Sequence, residues 1–404
     1  MLWGQTVKTR NQGTAEKILW VNPIILDTQL YREFLINIMK QLTKMGHDSS
    51  LIAVRSKNKY QNEDPKLHIT TVPLRYFPVI SPSFFAFVIL LYLPIYIVKS
   101  KPKFVIFEPD MAALASLSSL FVSKLTKTKF ILDIRSVPVE SKGLRGFLFK
   151  FWYSSSILTA KRMFQGITII TPLMKEEVCK NYLLDPRKVG VWTCGASPVK
   201  FNPNLYISQR NDFRAALNLS KKFVVFYHGV MSATRGLNET IKAIAILKKT
   251  YPDIVFFLLG NGPNVQAIKE LIQAENLQEN VILHDPVPHD EVPKFILASD
   301  VCIVPLPNNP YWRFQCPVKL LEYLAMEKVI IASDIPAHRS IVENKNCVIY
   351  IHAVQPEEIA KAIEYAYENR DKLAEWGKSG RAVIIDDYSI ERVAQDLESY
   401  LRST

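Results

Sequence analysis

Short runs of apolar, β-branched and aromatic residues recur along this chain, each followed by a helix-length stretch, and that alternation leaves few folds open. Lys17-Ile-Leu-Trp-Val-Asn22 reads as a buried strand, residues 30–45 as an amphipathic helix ended by Gly46, and Leu51-Ile-Ala-Val54 as the next strand. Strand, helix and strand at this spacing make a crossover unit, which implies parallel pairing. Phe104-Val-Ile-Phe107, a small-residue helix over 111–124 and Phe130-Ile-Leu-Asp-Ile134 repeat it, and Ile167-Thr-Ile-Ile170 and Val189-Gly-Val-Trp192 supply two more short strands. A polar stretch over 202–222 separates the halves. The pattern then restarts, with strands at 223–227, 254–259, 281–283 and 301–304 and helices at 237–249, 264–275 and 291–297. At 404 residues the chain has room for two domains, each able to bury a core. The expected class is α/β: two doubly wound Rossmann-like domains, 1–202 and 203–387, whose ligands bind beyond the carboxyl ends of the strands.

Composition narrows the function. With 48% apolar and 22% charged residues the chain is globular, and its five cysteines show no C-x-x-C pair or metal-ligand spacing, which suits a reducing cytoplasm. Net charge is uneven. Residues 1–200 hold 28 Lys+Arg against 13 Asp+Glu (+15), and residues 201–404 hold 22 against 25 (−3). A basic first half favours an anionic partner (a lipid surface, a phosphate-bearing acceptor or nucleic acid) or serves solubility alone. Without an RNA-binding aromatic signature, zinc finger or basic zipper, nucleic acid is set aside. The first seventeen residues are polar and mixed, unlike a signal peptide. The longest apolar run, 84–98, contains Pro94 and is shorter than the roughly 18–20 residues needed to span a bilayer; a buried core helix is expected, with shallow interfacial insertion as the alternative. Residues 143–153 mix aromatics with Arg145 and Lys150, a composition that suits a core helix or a membrane interface.

The most informative stretch for chemistry is Cys316-Pro-Val-Lys-Leu-Leu-Glu-Tyr-Leu-Ala-Met326, followed by the apolar strand 329–334. Pro317 is preset for the first helical position. Leu320, Leu321, Leu324 and Ala325 form an apolar stripe, leaving Lys319 and Glu322 on another face. A lysine in the first turn opposes the helix dipole, and a bound phosphate would remove the conflict. Glu322 has the lone pairs to accept two hydrogen bonds from a vicinal diol such as a ribose. The plainer alternative is a solvated ion pair three residues apart, worth a few tenths of a kcal/mol.

Pro317-Val-Lys-Leu-Leu-Glu-Tyr-Leu-Ala with Lys328-Val-Ile-Ile-Ala-Ser resembles the nucleotide-sugar helix and next strand of group 1 (family 4) glycosyltransferases. Four further segments match in order: Tyr227-His-Gly229 with Arg235-Gly-Leu237, Leu258-Leu-Gly-Asn-Gly-Pro263, Ser299-Asp-Val-Cys-Ile-Val-Pro305, and Val191-Trp-Thr-Cys-Gly195 with Phe201-Asn-Pro203. The resemblance covers the C-terminal half well and the N-terminal half loosely. It implies the GT-B architecture, two Rossmann-like domains facing a cleft, with residues 388–404 as a terminal helix crossing back to the first domain.

The resemblance also implies a hexosyltransferase that uses a UDP-sugar or GDP-sugar donor, retains the anomeric configuration and needs neither metal nor cofactor. Arg235, Lys319 and Glu322 take the catalytic roles, the two cations neutralising the leaving diphosphate and the carboxylate holding the ribose. Gly229, Gly260, Gly262, Asp285, Val287, Arg313 and Gln315 fall on the donor side, where an ordinary turn explains Gly260 and Gly262 equally well. Glu108, Asp133 and Arg135 fall on the acceptor side, with an internal Asp133 to Arg135 pairing as the alternative. The implied acceptor is a lipid-linked or envelope glycan at the cytosolic face, reached through peripheral membrane contact of the basic half. His47 reads as structural and His228 stays open. Three departures stand out: Phe314 replaces the family's first Glu, Val230 its usual Arg, and Pro23-Ile-Ile-Leu26 its first glycine pair. They motivate a rival reading, a non-catalytic sugar-nucleotide-binding or scaffold protein; an epimerase would need acid and base residues that are not evident.

Overall fold

Two parallel sheets organise the chain, seen here in a computed structural model that describes residues 15–26, 31–55, 64–74, 80–138, 143–343 and 345–404. It divides into two compact units, Met1–Trp192 with Ala394–Thr404, and Thr193–Val393. The first division falls after Trp192 rather than after Asn202 because Phe201 packs inside the second unit, its ring 5.5 Å from that of His289. The signal-peptide reading rests mostly on residues 1–14, and part of the first loop is 27–30; both lie outside the described residues.

Among the described residues of the first unit, β1 (Lys17–Ile25), β2 (Asp48–Arg55), β3 (His68–Pro73), β4 (Phe104–Phe107), β5 (Lys129–Ile134), β6 (Gly166–Ile169) and β7 (Val189–Val191) pair in the order β3-β2-β1-β4-β5-β6-β7. Every pairing is parallel. The strand order reverses between β1 and β4, the place where such a sheet opens its crevice. The crossovers are α1 (Tyr31–Lys44), α2 (Ile80–Ser100), α3 (Met111–Ala115), α4 (Leu120–Thr126), α5 (Gly143–Met163) and α6 (Pro172–Tyr182). Right-handed crossovers put α1 on one face of the sheet and the helices from α2 to α6 on the other. The helix expected over 111–124 is interrupted by a 3-10 turn, Ser116–Ser119, where Ser116 Oγ and Ser118 Oγ donate to the carbonyls of Ala113 and Ala115 and compete with the helical bonds.

The core-helix expectation for 84–98 holds for one stripe only. Phe85, Ile89, Leu93 and Ile97 are fully buried at i, i+4 spacing, whereas Phe84, Phe87, Leu91 and Ile95 are exposed. The reason is that α2 lies over the outside of the sheet, so a helix apolar all round has one stripe with nothing to cover it.

In the second unit the strands are β8 (Phe223–His228), β9 (Ile254–Leu259), β10 (Val281–His284), β11 (Val301–Val304), β12 (Ile330–Ser333) and β13 (Val348–Ile351), ordered β10-β9-β8-β11-β12-β13. The helices are α7 (Arg210–Ala216), α8 (Leu237–Leu247), α9 (Val265–Ala274), α10 (Val292–Ala298), α11 (Val318–Ala325), α12 (Pro336–Arg339), α13 (Pro356–Glu368) and α14 (Leu373–Asp386); α15 (Ile390–Ser403) leads back to the first unit. Strand order reverses between β8 and β11, and α11 follows β11. Pro317 caps α11 rather than opening it: its ψ of 102° is extended, and its carbonyl accepts from the Leu320 amide at 2.9 Å. Leu320, Leu321 and Leu324 have no exposure, and each contributes about 1.5–3 kcal/mol by its burial.

The C-terminal residues are built into the first unit. Tyr400 Oη accepts from the Ile167 amide at 2.9 Å, and its ring lies so close to β7 that a Cβ at Gly190 would stand 2.3 Å from it. His47 is buried between the two ends of the chain. Its Nε2 lies 3.0 Å from Glu398 Oε1 and its Nδ1 accepts from the Glu16 amide, so it is structural.

Candidate active site

The carboxyl end of β8 and the first turns of α11 bring the predicted cations together. Lys319 Nζ lies 3.7 Å from the centre of the Tyr227 ring and makes no hydrogen bond. Burial, with Arg235 nearby, holds its ammonium well below the usual lysine range. A buried cation without a partner is costly, and the aromatic face offsets only part of that cost. Gly229 leaves room beside it, since a Cβ there would stand 3.3 Å from the ammonium. Arg235 stacks over Trp312, 4.8 Å from the ring centre, while the indole Nε1 donates to the Thr234 carbonyl at 3.0 Å. That pair ties the loop before α11 to the turn after β8.

Glu322 is not a solvated partner of Lys319. It is 3% exposed, and its two oxygens are taken by imidazoles: His228 Nε2 at 2.8 Å from Oε2 and His289 Nε2 at 2.7 Å from Oε1. Burial opposes ionisation, yet these hydrogen bonds outweigh it and bring the carboxyl down to about 2. The tautomers follow from the other contacts. Lys200 Nζ can only donate to His289 Nδ1, at 2.8 Å, so the His289 hydrogen sits on Nε2. Burial lowers the His228 imidazole below its usual range, and its Nδ1 is 3.0 Å from the Tyr323 hydroxyl, which also accepts from the His228 amide. Glu322 therefore presents an ionised carboxylate already holding two N–H donors. A vicinal diol offers two O–H donors of similar reach.

The remaining donor-side residues divide. Gly260 and Gly262 serve loop-on-loop packing: their Cβ atoms would stand 2.2 Å from the carbonyls of Gly229 and Met231. Gln315 is half-buried and its Nε2 donor makes no hydrogen bond. Arg313 and Asp285 are exposed, and Val287 is half-buried.

Residues 208–383, which hold this whole arrangement except Lys200, match the family model of glycosyl transferases group 1. That segment, less than half of the chain, is similar to that family. The alpha-D-kanosaminyltransferase of Streptomyces kanamyceticus is 23% identical over 171 residues, 42% of this chain and 43% of that enzyme, so the chain spans less than half of that relative. Over 96% of its length the chain superposes on a glycosyltransferase from Rickettsia africae (TM-score 0.74, 20% identity, 99% of that chain). It also superposes over 96% of its length on Anabaena HepE in complex with UDP-glucose (TM-score 0.71, 14% identity, 100% of that chain). The fold is that of the GT-B glycosyltransferases.

In the first unit the acceptor-side residues separate into two sets. Asp133 and Arg135 are buried and engaged internally. Asp133 Oδ1 accepts from Thr168 Oγ1 at 2.8 Å and from the Trp192 indole at 2.9 Å, while Arg135 donates to the Trp192 carbonyl at 2.8 Å and stacks on its ring. They clamp Trp192, the last residue before the second unit, so the internal alternative describes them better than a role in lining a crevice. Glu108 is half-buried just after β4, held at 2.7 Å by Asn22 Nδ2, the β1 residue that follows the Val21–Phe107 pairing, across the strand-order reversal. Burial, with Asp133 and Asp110 adding repulsion, raises its carboxyl to about 7.

His289, Lys200 and Asn22 were not singled out from the sequence. The available signals were weak: Pro288-His289-Asp290 follows a short strand, and Asn22 closes an apolar run just before a proline.

Proposed function

We propose that this protein transfers a hexose from a UDP-sugar or GDP-sugar to a glycan or lipid-linked acceptor at the cytosolic face of a membrane, with retention and without a metal ion or cofactor. One observation carries the reading: the buried, unpartnered Lys319 ammonium, one turn from an ionised Glu322 and beside Arg235. A diphosphate supplies the missing counter-charge, and a ribose diol replaces the two imidazole donors on Glu322. The presence of UDP-glucose in the Anabaena HepE structure supports a nucleotide-sugar donor.

As the glycosidic C–O bond breaks, negative charge grows on the departing β-phosphate oxygen, and Arg235 with Lys319 stabilises it. In the retaining course the acceptor oxygen bonds to the anomeric carbon from the face the phosphate leaves, and the hydroxyl proton passes to that phosphate. No side-chain base is then required.

Thermal melting with UDP, GDP, ADP and their sugars tests the reading, because a ligand of the folded state raises the midpoint. A rise with one nucleoside diphosphate, abolished by Glu322→Ala, is expected, together with nucleotide release when that base's sugar is mixed with acceptor extract. Binding without release or hydrolysis favours the non-catalytic reading. No binding to any nucleotide overturns the transferase reading and points to a scaffold of the same fold.

A further inference from the structure

The crossover helices on one face of the first sheet expose three apolar stripes. On α2 they are Phe84, Phe87, Leu91 and Ile95, with helical spacing, and no charged residue occurs before Lys99. On the next layer Leu117, Phe121 and Leu125 follow at i, i+4, with Phe121 74% exposed. Leu144, Phe147 and Phe151 lie at i, i+3 and i+7 on α5, with Leu144 75% exposed. These stripes are neighbours, since α2 packs on α3 and α4 and α3 packs on α5. A monomer rarely leaves so large an apolar surface uncovered.

Charge decides what covers it. Residues 80–163 hold 12 Lys+Arg against 4 Asp+Glu, or +8. Among the described residues of this stretch no acidic side chain is exposed. Each helix ends in basic residues: Lys99 on α2, Lys124 on α4, Lys161 and Arg162 on α5. Helices that return between parallel strands all end at the amino edge of the sheet, so these cations border the apolar face on one side. A second copy would bring the same basic border against this one, which opposes self-association. The helix Ser81–Ser100 is long and apolar enough to cross a membrane by length and composition. Spanning is excluded by its connections, because β3 and β4 before and after it lie in one sheet and its inner stripe is buried there.

We propose that the α2, α4 and α5 face of the first unit seats on a bilayer rich in anionic lipid, the apolar stripes entering the interface and the basic helix ends meeting the headgroups. This is independent of the donor reading, and its test contains no nucleotide.

Full-length protein is sedimented with vesicles of phosphatidylcholine alone and of phosphatidylcholine with phosphatidylglycerol. Binding to the anionic vesicles, weakened about tenfold or more by Phe87→Ser with Phe147→Ser at unchanged melting temperature, is expected. Lys124→Glu with Lys161→Glu should remove the preference for anionic lipid. Should the double serine variant melt early, Phe121→Ser alone, at a more exposed position, takes its place. Failure of the wild type to bind either vesicle overturns the proposal, as does binding that both variants retain. A dimer in solution that the serine variants dissociate, without vesicle binding, assigns the face to a second copy instead.

Discussion

The two units share a doubly wound scaffold but treat the polar groups at their strand ends differently. In the first, Thr168 and Trp192 donate to Asp133, and Arg135 Nη1 donates to the Trp192 carbonyl, inside the protein. In the second, Lys319 and Gln315 keep buried donors without partners, and Glu322 is held by groups that a diol can replace. The contrast separates two uses of buried polarity. A closed network holds a segment in place, whereas an incomplete one is set for a ligand.

Breaking the closed network should produce the largest effect. Asp133→Ala leaves Arg135 as a buried cation without its carboxylate and is expected to cost about 3–5 kcal/mol in urea unfolding. Nucleotide affinity should be unchanged in the protein that remains folded. Equal loss of affinity would show that the network also serves the donor site.

The incomplete network should respond in the reverse sense. Lys319→Met is expected to lower turnover about a hundredfold while leaving apo stability equal or higher, since it removes a charge buried without a partner. Because burial lowers the Lys319 ammonium well below the usual lysine range, wild-type nucleotide affinity should fall with rising pH before that range is reached, and calorimetry of Lys319→Met should show no such fall. A less stable apo variant would mean that the ammonium has a protein partner.

The units should also part in their response to acid. Burial lowers His338 in the second unit to about 4, so the unfolded chain binds the extra proton as pH drops below about 6.5. Stability there is complete above that pH and should fall by about 2 kcal/mol by pH 5. In the first unit Glu108 and Asp110 are each raised to about 7, chiefly by burial, so the folded form binds more protons and is stabilised by the same change. Hydrogen exchange resolved by unit should show protection moving in opposite directions, and His338→Gln should remove the loss in the second.

The smallest effect is expected at Asp285, whose side chain is exposed. Asp285→Asn should alter stability by less than about 0.5 kcal/mol and leave nucleotide affinity within measurement error by calorimetry.

Strand and helix order was legible because strands covered on both faces read as unbroken apolar runs, as in Phe104–Phe107 and Ile254–Leu259. Elements beyond Ser333 were harder to read. The strand Val348–Ile351 is only four residues, and its neighbouring α13 carries its apolar positions as alanines and isoleucines among charges. In the site, Lys319 and Glu322 could be read from one helical turn of sequence. Their partners could not: Glu322 meets His228 and His289 from other strand ends, and spacing along the chain holds no record of that meeting. The same limit applied to α2, whose composition showed an apolar helix but not which stripe the sheet would cover.

The placement of Tyr400 bears on the order of assembly during synthesis. The residues that fill the space over Gly190 and pair with His47 leave the ribosome only after the whole second unit has been made. Until then the β6 and β7 edge of the first sheet lacks its cover, so the half translated first is the half completed last.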